Sequence, residues 1–519
     1  MAGSPGTPPP PAGSPSSYAG GPVHSSHRTP SARKRRVLLA AAGLAVVLVT
    51  AVLVVLGVQR SADPAAIGPV VQTDRGAVRG VRDGDVRAWR GIPYAAPPVG
   101  PLRWREPEPA AAWSGVRDGS DPGPSCLQPS LEDPARIAPG TSEDCLALSV
   151  VRPDDDRTDL PVLVWIHGGA FVTGSGTAFD TSGMAARGVV VVSPNYRLGV
   201  LGFFAHPALD SDVANFGLLD QLAALRWVRD NVEAFGGDPD RVTLVGSSAG
   251  AMSVNALLTM PATEGLVAGA ISQSALGDSR VRTLARTEAA AARRFPDRTA
   301  EQLRSMPAED LLTPTLDVFA GEAPVLDSVL TEPAVEAFED GRALAVPYVV
   351  GSTDLEFPGA RPSLLGSFAG VTRAQRSGRQ AQRVRRAYGA AYEKHVGSDV
   401  MLSLPALRLA VGHSGQAPTY RYRYAADPGG SRHSADVGAV FAAADSPTRS
   451  AATEQVARYW LAFVRTGDPA VVGQARWPEV AVDGEPTTAM LEITPDGAVT
   501  HGTDPWEDRL LALARLVVP

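Results

Sequence analysis

Lysine is almost missing from this chain. Of the 48 basic residues in its 519 only Lys34 and Lys394 are lysines, and the formal net charge is −7. Such positive charge as there is gathers at the start. Arg28, Arg33, Lys34, Arg35, Arg36 and Arg60 give the first 60 residues +6 with no acid, which leaves −13 on the rest. An acidic body excludes nucleic acid as a partner, because a phosphate backbone needs a basic face. Cysteine is equally scarce: Cys126 and Cys145 are the only two, too few ligands for a structural zinc site. Eight histidines are few enough for elimination to work when a catalytic base is sought. Long hydrophobic runs are missing too, apart from Val37 to Val58, and no internal repeat is visible.

That one run organises the N-terminus. Residues 1–36 are rich in Gly, Pro and Ser, a composition that builds no core, and they close with the basic cluster Arg33 to Arg36. They are expected to form a disordered tail. Val37 to Val58 is 22 residues without a charge, enough to cross a hydrocarbon core of about 30 Å as a helix. The basic cluster on its N-terminal side puts the tail in the cytoplasm and the body outside. A cleaved signal peptide would have a shorter apolar region and fewer residues in front of it; were the segment cleaved, the body would be secreted. The expected order is tail (1–36), transmembrane signal-anchor (37–58), linker (59–66) and one folded domain (67–519). In an exported chain an even pair of cysteines reads as one disulfide, Cys126 with Cys145. Closing that loop contributes roughly 3 kcal/mol in the chain-entropy model.

The body alternates strands with helices. Short antiparallel strands are expected around Val70–Thr73, Val78–Gly80 and Val86–Trp89. Buried strands follow at Leu160–Ile166, Val189–Ser193, Val242–Val245 and Val346–Gly351. A helix is expected from Leu218 to Phe235, closed by Gly236-Gly237-Asp238-Pro239. Thr419–Ala425 alternates Tyr with Arg and predicts a strand with one buried face. The pattern implies an open, largely parallel sheet flanked by helices.

Between the strand at Val242–Val245 and a helix running to Met260 lies Gly246-Ser247-Ser248-Ala249-Gly250, a G-x-S-x-G match. In that setting the middle serine occupies a strained turn above the sheet, and the following N–H points from a helix N-terminus at developing negative charge. A serine hydroxyl needs a base, here histidine, oriented by an acid, in the chain order Ser, acid, His. His24 and His27 lie in the tail, and His167 and His206 precede the serine. Of His395, His413, His433 and His501, His433 sits at the exit end of the Tyr-rich strand, where ligands gather in open α/β sheets. The acid should follow Val346–Gly351; Asp354 and Glu356 both qualify on spacing. His167-Gly168-Gly169-Ala170 is the small-residue loop type that donates N–H groups to an oxyanion.

With these residues in place, the chain resembles the type-B carboxylesterase family, α/β-hydrolases that include cholinesterases and para-nitrobenzyl esterases. The likeness runs from about Ile67 to beyond Trp477. It rests on Gly91-Ile92-Pro93-Tyr94-Ala95, Ser142-Glu143-Asp144-Cys145-Leu146, Asn195-Tyr196-Arg197, Asn215-Phe216-Gly217-Leu218-Leu219-Asp220-Gln221, Phe235-Gly236-Gly237-Asp238-Pro239 and Thr466-Gly467-Asp468-Pro469. The resemblance implies Ser248 as nucleophile, Glu356 as acid and His433 as base. It also implies Gly169, Ala170 and Ala249 as oxyanion donors, a supporting serine at Ser274, and the Cys126–Cys145 disulfide. Two departures stand out. The residue before the nucleophile, usually Glu, is Ser247, which removes a negative charge beside the histidine. The usual Asp-Glu-Gly around the acid is Leu355-Glu356-Phe357.

The reading is a membrane-anchored, extracytoplasmic serine esterase with a small-molecule ester substrate, needing no metal or organic cofactor. A catalytically silent cell-surface binding protein on the same fold is the alternative from another class. Hydrolysis of amides, carbamates or thioesters is the alternative within the enzyme class.

Overall fold

The computed structural model describes residues 67–277, 282–312, 323–357, 378–442, 450–482, 485–494, 496 and 499–517. All of these lie in the unit 64–519. The tail, the signal-anchor Val37 to Val58 and the linker lie outside the described residues. Among those described, no helix is long and apolar enough to cross a membrane.

The body is built on a thirteen-stranded sheet. Its strands are β1 (Ile67–Gln72), β2 (Ala77–Asp83), β3 (Val86–Pro93), β4 (Val116–Asp118), β5 (Ala147–Pro153), β6 (Leu160–Ile166), β7 (Val190–Pro194), β8 (Gly237–Ser247), β9 (Gly269–Gln273), β10 (Tyr348–Thr353), β11 (Thr419–Tyr424), β12 (Ala489–Ile493) and β13 (Val499–Thr503). The spatial order is β1-β2-β3-β5-β7-β6-β8-β9-β10-β11-β12-β13, with β4 on β2. From β7 to β12 every pairing is parallel, and the antiparallel pairs sit at the two ends. This is the mostly parallel sheet of an α/β-hydrolase fold.

Continuous apolar runs make these central strands because both of their faces are covered. In β6 every residue from Leu160 to Ile166 is buried. Successive side chains of a strand point to opposite faces, so Val162, Val164 and Ile166 enter one core layer while Leu163 and Trp165 enter the other. The first layer is filled by helices α1 (Phe216–Asn231) and α2 (Ala249–Leu258), through Leu222, Leu225, Val254 and Leu257. The second is filled by α3 (Ala435–Phe441) and α4 (Ala451–Thr466), through Val440, Phe441, Trp460 and Phe463. Burying each such side chain contributes roughly 1.5–3 kcal/mol.

Two expectations are corrected here. The first helix ends at Asn231 rather than Phe235. Val232–Phe235 tightens into a 3-10 turn, which Gly236 closes at φ 79°. Strand β11 does not have one buried face: all six of its residues are buried. Arg421 and Arg423 both pair with the buried Asp504, and Arg423 also meets Glu492 at 3.0 Å and lies 4.1 Å from the Trp506 ring centre. Burial pushes the Asp504 carboxyl up, but the two guanidiniums outweigh it and hold the group below the usual carboxylate range. The arginine face is thus roofed by the segment leading into α5 (Glu507–Val517).

The parallel register determines where chemistry can occur. Gly246 lies opposite Ile166 and Ser272, Ser247 opposite Gln273, Gln273 opposite Gly351, and Gly351 opposite Tyr422. The loops leaving β6, β8, β9, β10 and β11 therefore emerge side by side at the carboxyl edge, the usual ligand edge of such sheets.

Candidate active site

Ser248 is the single residue between β8 and α2, with φ 58° and ψ −121°. A non-glycine residue held there costs on the order of 1–3 kcal/mol, offset by its surroundings. Its N–H donates to the Gln273 carbonyl at 2.9 Å, and its carbonyl accepts from Met252 N–H at 3.0 Å, opening the helix. The turn is tight enough to require glycine at Gly250, where a Cβ would sit 2.1 Å from the Ile166 oxygen. Ser248 itself stays half-buried while its neighbours Ser247 and Ala249 are buried.

The acid and histidine loops zip together before they reach the serine. Leu355 N–H donates to the Ser431 carbonyl at 3.1 Å, Ser431 N–H to Asp354 Oδ1 at 2.6 Å, and His433 N–H to the Glu356 carbonyl at 2.9 Å. This leaves Glu356 Oε2 at 2.6 Å from His433 Nδ1, and His433 Nε2 at 2.8 Å from Ser248 Oγ. Glu356 is 1% exposed, and its Oε1 accepts from Ser274 Oγ at 2.6 Å and Thr353 N–H at 2.8 Å. The choice between Asp354 and Glu356 is therefore decided by contact. Asp354 braces the histidine loop, its carboxyl pushed up by burial, and Glu356 meets the ring.

The loop after β6 lies over the serine. A Cβ on Gly168 would come within 2.7 Å of the Ser247 oxygen and 3.2 Å of Ser248 Cβ. The Gly168 carbonyl is 2.8 Å from His167 Nδ1, and the Gly169 carbonyl accepts from Val172 and Thr173 N–H at 3.0 and 2.9 Å. In a trans peptide the N–H points opposite to the carbonyl, so the N–H groups of Gly169 and Ala170 face out of the loop. Among the described residues neither they nor the Ala249 N–H has a hydrogen-bond partner. Gly169, Ala170 and Phe171 hold positive φ of 111°, 59° and 61° to achieve this.

His167 supports that loop in a way the sequence reading, which used it only as part of a motif, did not anticipate. It stacks on Tyr196 with ring centres 4.3 Å apart, Tyr196 Oη donates to its carbonyl at 2.8 Å, and burial pushes its pKa down to about 4. The disulfide joins Cys126 to Cys145. Gln128, inside the loop it closes, clamps Gly174 from both sides, donating to its carbonyl at 2.9 Å and accepting from its N–H at 2.8 Å. The two departures also find partners. Ser247 Oγ lies 2.9 Å from Ser434 Oγ, and the Phe357 ring lies against the His433 ring.

Seven parallel strands, a serine on a strained strand-to-helix turn, and a histidine joining it to a buried glutamate define an α/β-hydrolase with the hydrogen-bonded order of an acyl-transfer site. Residues 67–396 match the sequence model of the Carboxylesterase family. The chain belongs to that family and is a carboxylic ester hydrolase. It is 34% identical over 481 residues to para-nitrobenzyl esterase of Bacillus subtilis (strain 168), an alignment covering 85% of this chain and 97% of that protein. To fumonisin B1 esterase of Sphingopyxis macrogoltabida it is 36% identical over 475 residues, covering 82% and 87%. A solved PNB esterase structure aligns with a TM-score of 0.73 at 33% identity, covering 86% of this chain and 99% of the other.

Proposed function

We propose that the chain hydrolyses carboxylic esters through an acyl-enzyme formed on Ser248, in a domain anchored outside the cytoplasmic membrane. The observation that carries the chemistry is the unbroken pair of contacts from Glu356 through His433 to Ser248, at 2.6 and 2.8 Å. His433 Nε2 takes the Ser248 proton as the oxygen attacks the ester carbonyl, and Glu356 holds Nδ1–H and steadies the imidazolium. The tetrahedral oxyanion is met by the N–H groups of Gly169, Ala170 and Ala249, the last at a helix N-terminus. His433 then protonates the leaving alkoxide. Water repeats the sequence and releases the acid.

The location rests on two features. Arg33 to Arg36 in front of the uncharged run Val37 to Val58 orient a signal-anchor with its N-terminus inside. The Cys126–Cys145 disulfide suits an oxidising compartment.

A fluorophosphonate probe tests the chemistry, because it needs an activated serine and no particular pocket. The full chain is expected to label stoichiometrically and to turn over a short-chain aryl ester. Ser248→Ala and His433→Ala should lose both. Failure of the folded wild type to label would overturn the esterase mechanism in favour of a silent binding protein.

A further inference from the structure

Phe357 puts its ring on His433. The ring centres are 4.5 Å apart with 32° between the planes. The backbone that carries the ring is held from both sides. Phe357 N–H donates to Ser398 Oγ at 3.0 Å, and the same hydroxyl donates back to the Phe357 carbonyl at 3.2 Å. Ser398 is 2% exposed. Phe357 also packs on the apolar cluster of Val384, Tyr388, Val396 and Leu402.

On the mechanism above, His433 becomes an imidazolium in both halves of the reaction. Among the described residues, the acids nearest to it are already engaged. Glu356 already serves Nδ1, and position 247 carries a hydroxyl bonded to Ser434. Asp436 is engaged by Tyr422 and Gln273, and burial pushes its carboxyl towards the neutral form. The negative face of an aromatic ring attracts a cation within about 6 Å, more strongly where water is excluded. Neutral imidazole gains far less from the same contact. An interaction that strengthens only as charge develops raises kcat rather than substrate binding.

We propose that Phe357 is a positioning residue whose π face favours His433 in its protonated, transition-state form, supplying the stabilisation that Ser247 cannot. This rests on the assignment of His433 as the base. The test replaces Phe357 in the full chain by 4-fluoro- and pentafluorophenylalanine, which keep the ring's shape but weaken and then reverse its quadrupole, alongside F357L and F357Y. Turnover of a short-chain aryl ester is expected to fall stepwise with fluorination. Pentafluorophenylalanine and F357L should lose about 3- to 30-fold in kcat, with KM within about twofold and F357Y near wild type. A kcat that stays flat across the series, or a loss confined to KM, overturns the proposal. If F357L fails to fold, as judged by circular dichroism, the fluorinated series still decides. S248A separates the two readings. Retained turnover there sinks the Ser248 mechanism itself, whereas a dead S248A with a flat series removes only the role of Phe357.

Discussion

At the scale of single residues, His167 matters because it is uncharged. Burial pushes its pKa from 6.5 down to about 4, so the unfolded chain takes up this proton near pH 6.5 while the folded chain resists until about pH 4. Its contribution is therefore present above pH 6.5 and is lost as pH falls towards 4, by about 3 kcal/mol in all. Urea unfolding followed from pH 8 to pH 4 should show that slope, and His167→Asn, which keeps a donor for the Gly168 carbonyl, should lack it. Equal slopes in the two proteins would refute this account. Glu356 and Asp354 make a second contrast. Glu356→Gln puts an amide where an acceptor must face Nδ1 and is expected to lower kcat about 10³- to 10⁴-fold with KM little changed. Asp354→Asn, which weakens the brace at Ser431 without touching the ring, should cost less than about tenfold in the same assay. Spacing alone could not separate these two acids. The distinction depends on the backbone pairing of the 354–357 and 431–433 segments, which no local pattern encodes.

Among elements, legibility followed burial. β6 and β8 were readable because a run of apolar, β-branched residues has one comfortable environment, the inside of a parallel sheet. The nucleophile turn was readable because Gly246 and Gly250 flank it at fixed offsets. β11 misled for a physical reason: the partner of Arg421 is Asp504, 83 residues further on, and nothing within the strand announces it. The oxyanion loop was legible as a motif, but its supports, His167 on Tyr196 and Gln128 on Gly174, are tertiary and were not. That last support ties the disulfide to the site. Replacing both Cys126 and Cys145 by Ala should lower stability by roughly 3 kcal/mol, read as a fall in the urea midpoint. The wild type treated with a thiol reductant should shift in the same direction. An unchanged midpoint would mean that the packing around Gln128, together with the Arg103–Glu143 pair at 2.5 Å, already holds the loop without the covalent link.

For the molecule as a whole, the charge asymmetry separates a basic N-terminus from an acidic body, and the site belongs entirely to the body. Each residue assigned to the reaction, from Gly169 to His433, lies in the body, and para-nitrobenzyl esterase of Bacillus subtilis aligns over 97% of its length while using 85% of this chain. The N-terminal segment is expected to govern location and not catalysis. Membranes from cells expressing the full chain should retain the esterase through a carbonate wash and release it with detergent. Removing residues 1–60 should abolish that retention while leaving kcat/KM on a soluble aryl ester within about twofold. Two results would tell against this division of labour. Activity released by carbonate from the full chain would remove the signal-anchor and leave a cleaved or peripheral segment. A shortened chain that folds but loses kcat/KM by tenfold or more would place the N-terminal segment in the catalytic function.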